Sequence, residues 1–150
     1  MKVNRATGAK MEAIIKQVDG LSLIGKAGSN HWIAMDAAED VGGSNAGSRP
    51  LELLLLGLGG CTAMDVISIL KKKRSPVKNI NIALKAERSE EHPKIFTEIK
   101  LKFFVYGDKE NIKPRDIERA IELSSTQYCS ASNMLKKSAN IEYEYEIVDD

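Results

Sequence analysis

The chain has 150 residues, 43% of them hydrophobic, so it can bury one core of ordinary size, and we expect a single domain over residues 1–150. Its 22 basic and 21 acidic residues leave a net charge of +1, which argues against a nucleic-acid-binding protein and against a disordered chain. Two cysteines are too few for the disulfide framework of a small secreted domain. No signal peptide is predicted within the polar, basic residues 1–10, so we expect a cytoplasmic location.

The first third of the chain predicts short strands followed by a loop. Extended segments at residues 11–18, 21–27 and 32–36 are separated by turn residues, which is typical of a β-meander. Residues 41–48 include three glycines, two serines and an asparagine, a composition that predicts a loop. Pro50 then suits the first turn of a helix.

Residues 51–70 predict a long apolar helix that Pro76 brings to an end. Its longest uncharged stretch, residues 53–64, has twelve residues, whereas a membrane-spanning helix needs roughly 20. We therefore expect a buried helix and no membrane partner. The basic residues 71–74 are interpreted as a complement to the helix C-terminus rather than as a phosphate-binding patch, so no nucleic-acid partner is expected.

The second half predicts strands and helices in alternation. Residues 79–90 and 95–106 form a predicted hairpin, and Pro114 begins a helical region that polar residues 124–127 interrupt before a short helix through Leu135. Residues 141–148 alternate apolar and acidic side chains, the pattern of a half-solvated strand. The order of these elements indicates an α+β fold in which antiparallel sheet covers helices.

The long helix is apolar around its whole circumference. One small sheet cannot cover every side of such a helix, and a helix that is apolar all round must be surrounded by more protein. We therefore predict a homodimer in which these helices pack against each other or against the partner's sheet.

Cys61 lies in the predicted helix, directly after a segment with three glycines in four positions, Gly57, Gly59 and Gly60. Each glycine costs a helix about 0.8–1 kcal/mol relative to alanine, so close approach of another backbone or of a substrate must offset that cost. One interpretation is a tight helix crossing beside an inert buried thiol, and the other is a reactive site.

Cys129 follows Cys61 by 68 residues, so only the fold could unite the two thiols. If they meet, a reducing cytosol favours a transient disulfide over a permanent one. A zinc site built from these cysteines with His31 and His92 is the rival use, but structural zinc ligands usually come in close pairs and these four stand apart. We therefore expect no metal and interpret both histidines as ordinary loop residues.

Several motifs together resemble those of the OsmC/Ohr family, and in particular its YhfA-like branch. They are residues 48–54 (Ser-Arg-Pro-Leu-Glu-Leu-Leu), 59–62 (Gly-Gly-Cys-Thr), 65–70 (Asp-Val-Ile-Ser-Ile-Leu), His31 ahead of Met35-Asp36, 87–97, and Leu123-Ser124 leading to Tyr128-Cys129-Ser130. The likeness extends over nearly the whole chain, and both cysteines lie in matching contexts.

This resemblance implies an intertwined homodimer with a two-layer antiparallel sheet and a long buried central helix, and it implies no metal or flavin cofactor. The implied activity is a cysteine-based peroxidase for small organic hydroperoxides, with an external dithiol as reductant. Cys61 would be the thiolate that attacks the peroxide, and Cys129 the resolving thiol. An attacking cysteine with an ordinary pKa of about 8.5 is mostly protonated at neutral pH, so a cation is expected beside it.

The residues expected to assist Cys61 match the family's motifs less directly than the cysteines do. The family places glutamate directly after the proline, whereas Glu52 here comes one residue later, so it either orients an arginine or is a surface or capping carboxylate. The family's early-strand arginine has no counterpart beyond Arg5, which leaves Arg88 and Arg49 as candidate cations and His31 as a candidate proton donor. The alternative function is a non-catalytic protein that binds an apolar or acyl ligand at the dimer interface.

Overall fold

The structure is a computed structural model that describes residues 10–149. These residues form two compact units, the first ending at Leu54 and the second beginning at Leu55. The single domain expected over residues 1–150 stays a prediction. Arg5 lies outside the described residues.

In the first unit, three strands form the predicted antiparallel meander within residues 10–54: β1 (Ala13–Asp19), β2 (Ser22–Ala27) and β3 (Ile33–Met35). Their order in the sheet is their order in the chain, because short turns connect them. The glycine-rich loop follows as predicted, and a short 3-10 helix covers Glu39–Val41.

Asp36 organises this loop from a position that is 2% exposed. Its carboxylate accepts hydrogen bonds from the backbone N–H groups of Ala37 (2.7 Å), Ser44 (3.1 Å) and Ala46 (3.0 Å), and from the Ser22 hydroxyl (2.8 Å). The N–H of Ala46 is the main group that holds the pKa of Asp36 below its ordinary value, against the opposing effect of burial. A buried carboxylate with this many donors fixes the loop in one conformation.

The long helix α1 (Pro50–Lys72) begins one residue before its predicted start and ends two residues after its predicted end. The Glu52 carboxylate accepts a hydrogen bond from the N–H of Arg49 at 2.9 Å, which satisfies a donor that the first turn leaves free. By length and composition α1 could cross a membrane, a test that the core helix of a soluble protein also passes. Its buried residues form one stripe, namely Leu58, Gly59, Thr62, Val66 and Leu70.

In the second unit, β4 (Val77–Arg88) and β5 (Phe96–Gly107) form the predicted antiparallel hairpin, and β5 buries one face that includes Ile99, Leu101 and Phe103. Strand β6 (Asn140–Asp149) pairs with β5 in parallel, so the sheet is mixed rather than wholly antiparallel as predicted. A parallel partner needs a long crossover connection, and helices supply it here.

The crossover consists of α2 (Pro114–Leu123), a π-helical turn (Ser124–Tyr128) and α3 (Ser130–Leu135). The helix α2 buries Ile117, Ala120 and Ile121, which share one face. The predicted interruption after α2 is the π-helical turn. The α+β class and the long central helix are therefore confirmed, and the crossover brings Cys129 into the second unit's core.

Candidate active site

Cys61 and Cys129 come together in the second unit. Cys61 is half-buried on α1, Cys129 is fully buried between the π-helical turn and α3, and both are free thiols. Their Sγ atoms lie within 4.8 Å of each other. A disulfide requires about 2.05 Å between sulfurs, so only a local movement separates this pair from a bond.

The π-helical turn and α3 position Cys129. Its N–H donates to the Ser124 carbonyl at 2.8 Å, and its carbonyl accepts from the Asn133 side chain at 3.0 Å. The sulfur occupies the N-cap of α3 and accepts the backbone N–H of Ser132 at 3.3 Å. The backbone on both sides of Cys129 is thus hydrogen-bonded, which fixes the sulfur toward α1.

Three hydroxyl-bearing residues lie beside Cys129, and we call Thr62, Ser132 and Tyr143 the hydroxyl cluster: Thr62 and Ser132 contact the sulfur, and Tyr143 contacts Ser132. The Thr62 Oγ1 lies 3.4 Å from the sulfur, and it also donates to the Leu58 carbonyl at 2.8 Å. The Ser132 and Tyr143 hydroxyls are hydrogen-bonded to each other at 2.8 Å. Because Thr62 and Ser132 are fully buried, these bonds form away from bulk water.

Asp65 is the acidic neighbour of the pair. It follows Cys61 by one helical turn, and a carboxylate oxygen lies within 4.8 Å of both sulfurs. The Ser124 hydroxyl donates to Asp65 at 3.0 Å and holds it in place. Within residues 10–149, Cys61, Asp65 and Cys129 are the group whose atoms could hold a metal ion, and His92 of the same unit is not part of it.

The surroundings of the two thiols shift their pKa values in opposite directions. Burial raises the pKa of Cys61, and the neighbouring Cys129 and Asp65 add to the rise, while a hydrogen bond from the Ala131 N–H opposes it. Burial also raises the pKa of Cys129, but hydrogen bonds from Ser132 and Thr62 outweigh burial and leave this pKa below its ordinary value. The resting pair therefore keeps its proton on Cys61 more readily than on Cys129.

The predicted helper residues make other contacts in the described part of the chain. Glu52 caps α1 through Arg49, whose guanidinium donates to the carbonyl of Gly47. The Arg88 Nε donates to the Lys94 carbonyl at 2.8 Å at the end of the hairpin, and His31 is exposed on the loop before β3. The cation expected beside Cys61 is not among the main groups that set its pKa, where Asp65 appears instead. Catalytic roles for Glu52, Arg88 and His31 stay predictions.

The glycines before Cys61 differ in what surrounds them within residues 10–149. A Cβ on Gly59 would lie 2.8 Å from the Leu84 side chain, so this glycine lets α1 pack closely on β4. A Cβ on Gly57 or Gly60 would meet nothing within 4 Å. Close packing within the described residues therefore explains the glycine at position 59 but not those at positions 57 and 60.

A cavity of about 370 Å³ borders Asp65. Its apolar walls come from Ile69, Leu123 and Tyr128, and Lys72 and Lys73 also line it. Leu58, three residues before Cys61, is fully buried in the core.

The sequence did not predict that the hydroxyl cluster and Asp65 belong to the site. The spacing of four residues between Cys61 and Asp65 on a predicted helix was a usable signal, because it places both side chains on one face. The three-residue spacing from Cys129 to Ser132 was a weaker signal of an N-cap. Nothing in the sequence places Tyr143 against Ser132, because that contact depends on the parallel pairing of β6.

Comparison with known proteins adds three findings. The family model described as OsmC-like protein matches residues 42–144. The chain is 43% identical over 141 residues to Protein YhfA of Escherichia coli K12, covering 92% of this chain and 98% of that protein. A hypothetical protein from Aquifex aeolicus has a solved structure with 34% identity and a TM-score of 0.81, covering 94% of this chain and 98% of that one.

A more distant solved structure shares the fold. It is an organic hydroperoxide resistance protein from Elizabethkingia anophelis, with 14% identity and a TM-score of 0.72, and the match covers 95% of this chain and 99% of that one. The arrangement of strands and helices described above is therefore found in proteins of very different sequence.

Proposed function

The chain belongs to the OsmC-like protein family, and we propose that it is a cysteine-based peroxidase that reduces organic hydroperoxides through a transient Cys61–Cys129 disulfide. The observation that supports this proposal is the pair of free thiols within 4.8 Å, one half-buried and one fully buried. A structural relative is named an organic hydroperoxide resistance protein, which agrees with this chemistry.

In the first proposed step the Cys61 sulfur attacks one oxygen of the hydroperoxide. The O–O bond breaks, the Cys61 proton leaves with the departing oxygen as an alcohol, and Cys61 becomes a sulfenic acid. Cys61 is the attacking residue because it is the more accessible thiol. The carboxylate of Asp65 and the sulfur of Cys129 are the nearby groups that can carry this proton from Cys61 to the departing oxygen.

In the second proposed step the Cys129 thiolate attacks the sulfenic sulfur of Cys61. An S–S bond forms, the S–O bond of the sulfenic acid breaks, and the hydroxyl leaves as water with the proton that Cys129 released. The lowered pKa of Cys129 favours this step, because only the thiolate is nucleophilic. An external dithiol then reduces the disulfide and returns both thiols.

The proposed assembly is a homodimer in the cytoplasm. Its support is the outer face of α1, where Leu56 is 61% exposed, Met64 68% and Ile67 46%. Large apolar side chains exposed side by side on a soluble protein mark a contact surface. Size-exclusion chromatography with light scattering at micromolar concentration should give twice the chain mass, and a monomer there would overturn this part of the proposal.

Titration of the reduced protein with cumene hydroperoxide, followed by acid quench and intact-mass analysis, tests the peroxidase proposal. We expect a Cys61–Cys129 disulfide within seconds at one equivalent, and slower oxidation by hydrogen peroxide. Cys61→Ser should abolish hydroperoxide consumption. Full turnover by Cys61→Ser would show that the attacking residue is wrong.

The cavity beside Asp65 favours one second candidate, a non-catalytic protein that binds an apolar or acyl ligand. Its apolar walls and the lining Lys72 suit an acyl chain with an anionic head group. The same titration separates the two functions, because a binding protein would oxidise over minutes to hours and would not depend on Cys61.

A further inference from the structure

The Cys129 sulfur lies among more hydrogen-bond donors than a buried structural thiol needs. It accepts the Ser132 N–H at 3.3 Å and lies 3.4 Å from the Thr62 hydroxyl, and the Ser132 side chain is among the groups that lower its pKa. A neutral thiol is a weak acceptor and gains little from such donors, whereas a thiolate gains much. The surroundings therefore match the charged form of Cys129.

We propose that the hydroxyl cluster stabilises Cys129 as the leaving thiolate when the disulfide is reduced, so that the external thiol attacks Cys61. This inference rests on the proposed function only in that it assumes a Cys61–Cys129 disulfide. Thr62, Ser132 and Tyr143 act here as positioning residues, because they work through the Cys129 sulfur and not on the substrate.

The hydroxyl hydrogens of Ser132 and Tyr143 determine which residue donates and which accepts, and this supports the positioning role of the cluster. Ser132 has one hydroxyl hydrogen, and when it donates to the Cys129 sulfur it must accept from the Tyr143 hydroxyl. Burial raises the pKa of Tyr143, so this phenol stays protonated and remains a donor. Tyr143 therefore orients Ser132 toward the sulfur from a neighbouring strand.

Thr62 can serve both charge states of the sulfur. Its single hydroxyl hydrogen donates to the Leu58 carbonyl at 2.8 Å, which leaves its oxygen free to accept from a Cys129 thiol at 3.4 Å. When Cys129 is a thiolate, the same hydroxyl can rotate and donate to sulfur. When Cys129 becomes a thiolate, a rotation of the Thr62 hydroxyl thus replaces its hydrogen bond to the Leu58 carbonyl with one to the sulfur.

The exchange reaction balances as follows. The thiolate of an external dithiol attacks the Cys61 sulfur, a mixed disulfide forms there, and the electron pair of the broken S–S bond goes to Cys129. The second thiol of the reductant then attacks the mixed disulfide, releases Cys61 and closes its own disulfide. The dithiol supplies both electrons and both protons.

The first test identifies the sulfur that is attacked. The wild-type disulfide is formed with diamide, which needs no peroxidase activity, and is then treated with a monothiol such as cysteamine. Acid quench and peptide mapping should find the cysteamine adduct on Cys61. An adduct on Cys129, or failure of diamide to form the disulfide, would overturn the proposal.

The second test separates thiolate stabilisation from simple accessibility. In a Cys61→Ser background, ultraviolet absorbance of the thiolate reports the titration of Cys129 alone. We expect Ser132→Ala and Tyr143→Phe to move its midpoint to higher pH. The matched control is Tyr145→Phe, because Tyr145 lies on the same strand and its hydroxyl donates to Glu118 instead.

The rate of disulfide reduction gives the third readout. A thiol with a higher pKa is a slower leaving group, so a rise of one pH unit in the Cys129 midpoint should slow reduction several-fold. Ser132→Ala and Tyr143→Phe should show this slowing in the protein that keeps both cysteines, and Tyr145→Phe should not.

If Ser132→Ala or Tyr143→Phe fails to fold, Thr62→Val and Thr62→Ser form a second pair of variants. Of these, only Thr62→Val should slow reduction. Unchanged midpoints and rates would overturn the role of the cluster, while hydroperoxide titration separately decides the proposed function.

Discussion

Asp36 in the first unit and Cys61 in the second are both acidic groups withdrawn from water, but their neighbours differ. Asp36 accepts three backbone N–H groups and one hydroxyl, which hold its pKa below the ordinary value. Burial raises the pKa of Cys61, and the nearby Cys129 and Asp65 raise it further. Asp36 is therefore held in its charged form by the backbone of its own loop, whereas Cys61 keeps its proton more readily than an ordinary thiol does.

Cys129→Ser should give the largest effect, because it removes the thiol that reacts with Cys61 in the second unit. The serine cannot form a disulfide, so the sulfenic acid on Cys61 has no resolving thiol. We expect loss of catalytic turnover and accumulation of Cys61 with two or three added oxygens, measured by intact mass. Sustained multiple turnover without over-oxidation would contradict the resolving role.

Asp36→Asn should give the next largest effect and should act on stability. An amide cannot accept as a carboxylate does, and its NH₂ group faces the donors that Asp36 satisfies. We expect a lower melting temperature and a disordered 37–48 loop, checked by calorimetry and proteolysis. Glu39→Gln, on the same loop, is the matched control and should leave the melting temperature unchanged.

The pH dependence of stability follows from the sign of the Asp36 shift. Because the folded-state pKa lies below the unfolded value of about 3.9, the carboxylate stabilises the fold above that pH. This contribution is lost as the pH falls through the lowered folded-state pKa. Acid titration by circular dichroism should show the loss in the wild type, and Asp36→Asn should lack it.

Asp65→Asn should have a moderate effect on the reactivity of Cys61. The substitution removes a negative charge that raises the pKa of Cys61, so the pH midpoint for alkylation of Cys61 should become lower. Iodoacetamide should then modify Cys61 several times faster at pH 7. Glu122→Gln removes the same charge from the exposed face of α2 and should leave the rate unchanged, and an unaltered Asp65→Asn rate would argue against Asp65 as an electrostatic neighbour.

Gly59→Ala and Gly60→Ala should give the smallest effect and concern packing beside Cys61. Both alanines gain about 0.8–1 kcal/mol of helix propensity. Only the Gly59 substitution places a Cβ 2.8 Å from Leu84, and overpacking typically costs about 1–3 kcal/mol. Urea unfolding should therefore rank Gly60→Ala as the more stable variant, and the reverse order would contradict the packing described for Gly59.

Local patterns made most of the fold predictable. Pro50 and Pro76 bracket α1, and the alternation in β4 and β5 identifies their hairpin, because each signal is confined to neighbouring residues. The direction of β6 was not predictable, since an alternating strand has the same pattern whether it pairs in parallel or antiparallel. Cys61 and Cys129 were predictable from the motifs, whereas Tyr143 depends on that unpredicted pairing.

The parallel pairing of β5 and β6 has a consequence for the order of assembly during synthesis. The helix with Cys61 leaves the ribosome long before Cys129, and Tyr143 follows still later on the strand that completes the sheet. A chain interrupted before β6 would carry both sulfurs without the phenol that orients Ser132. The redox centre would then mature only when translation has supplied that strand.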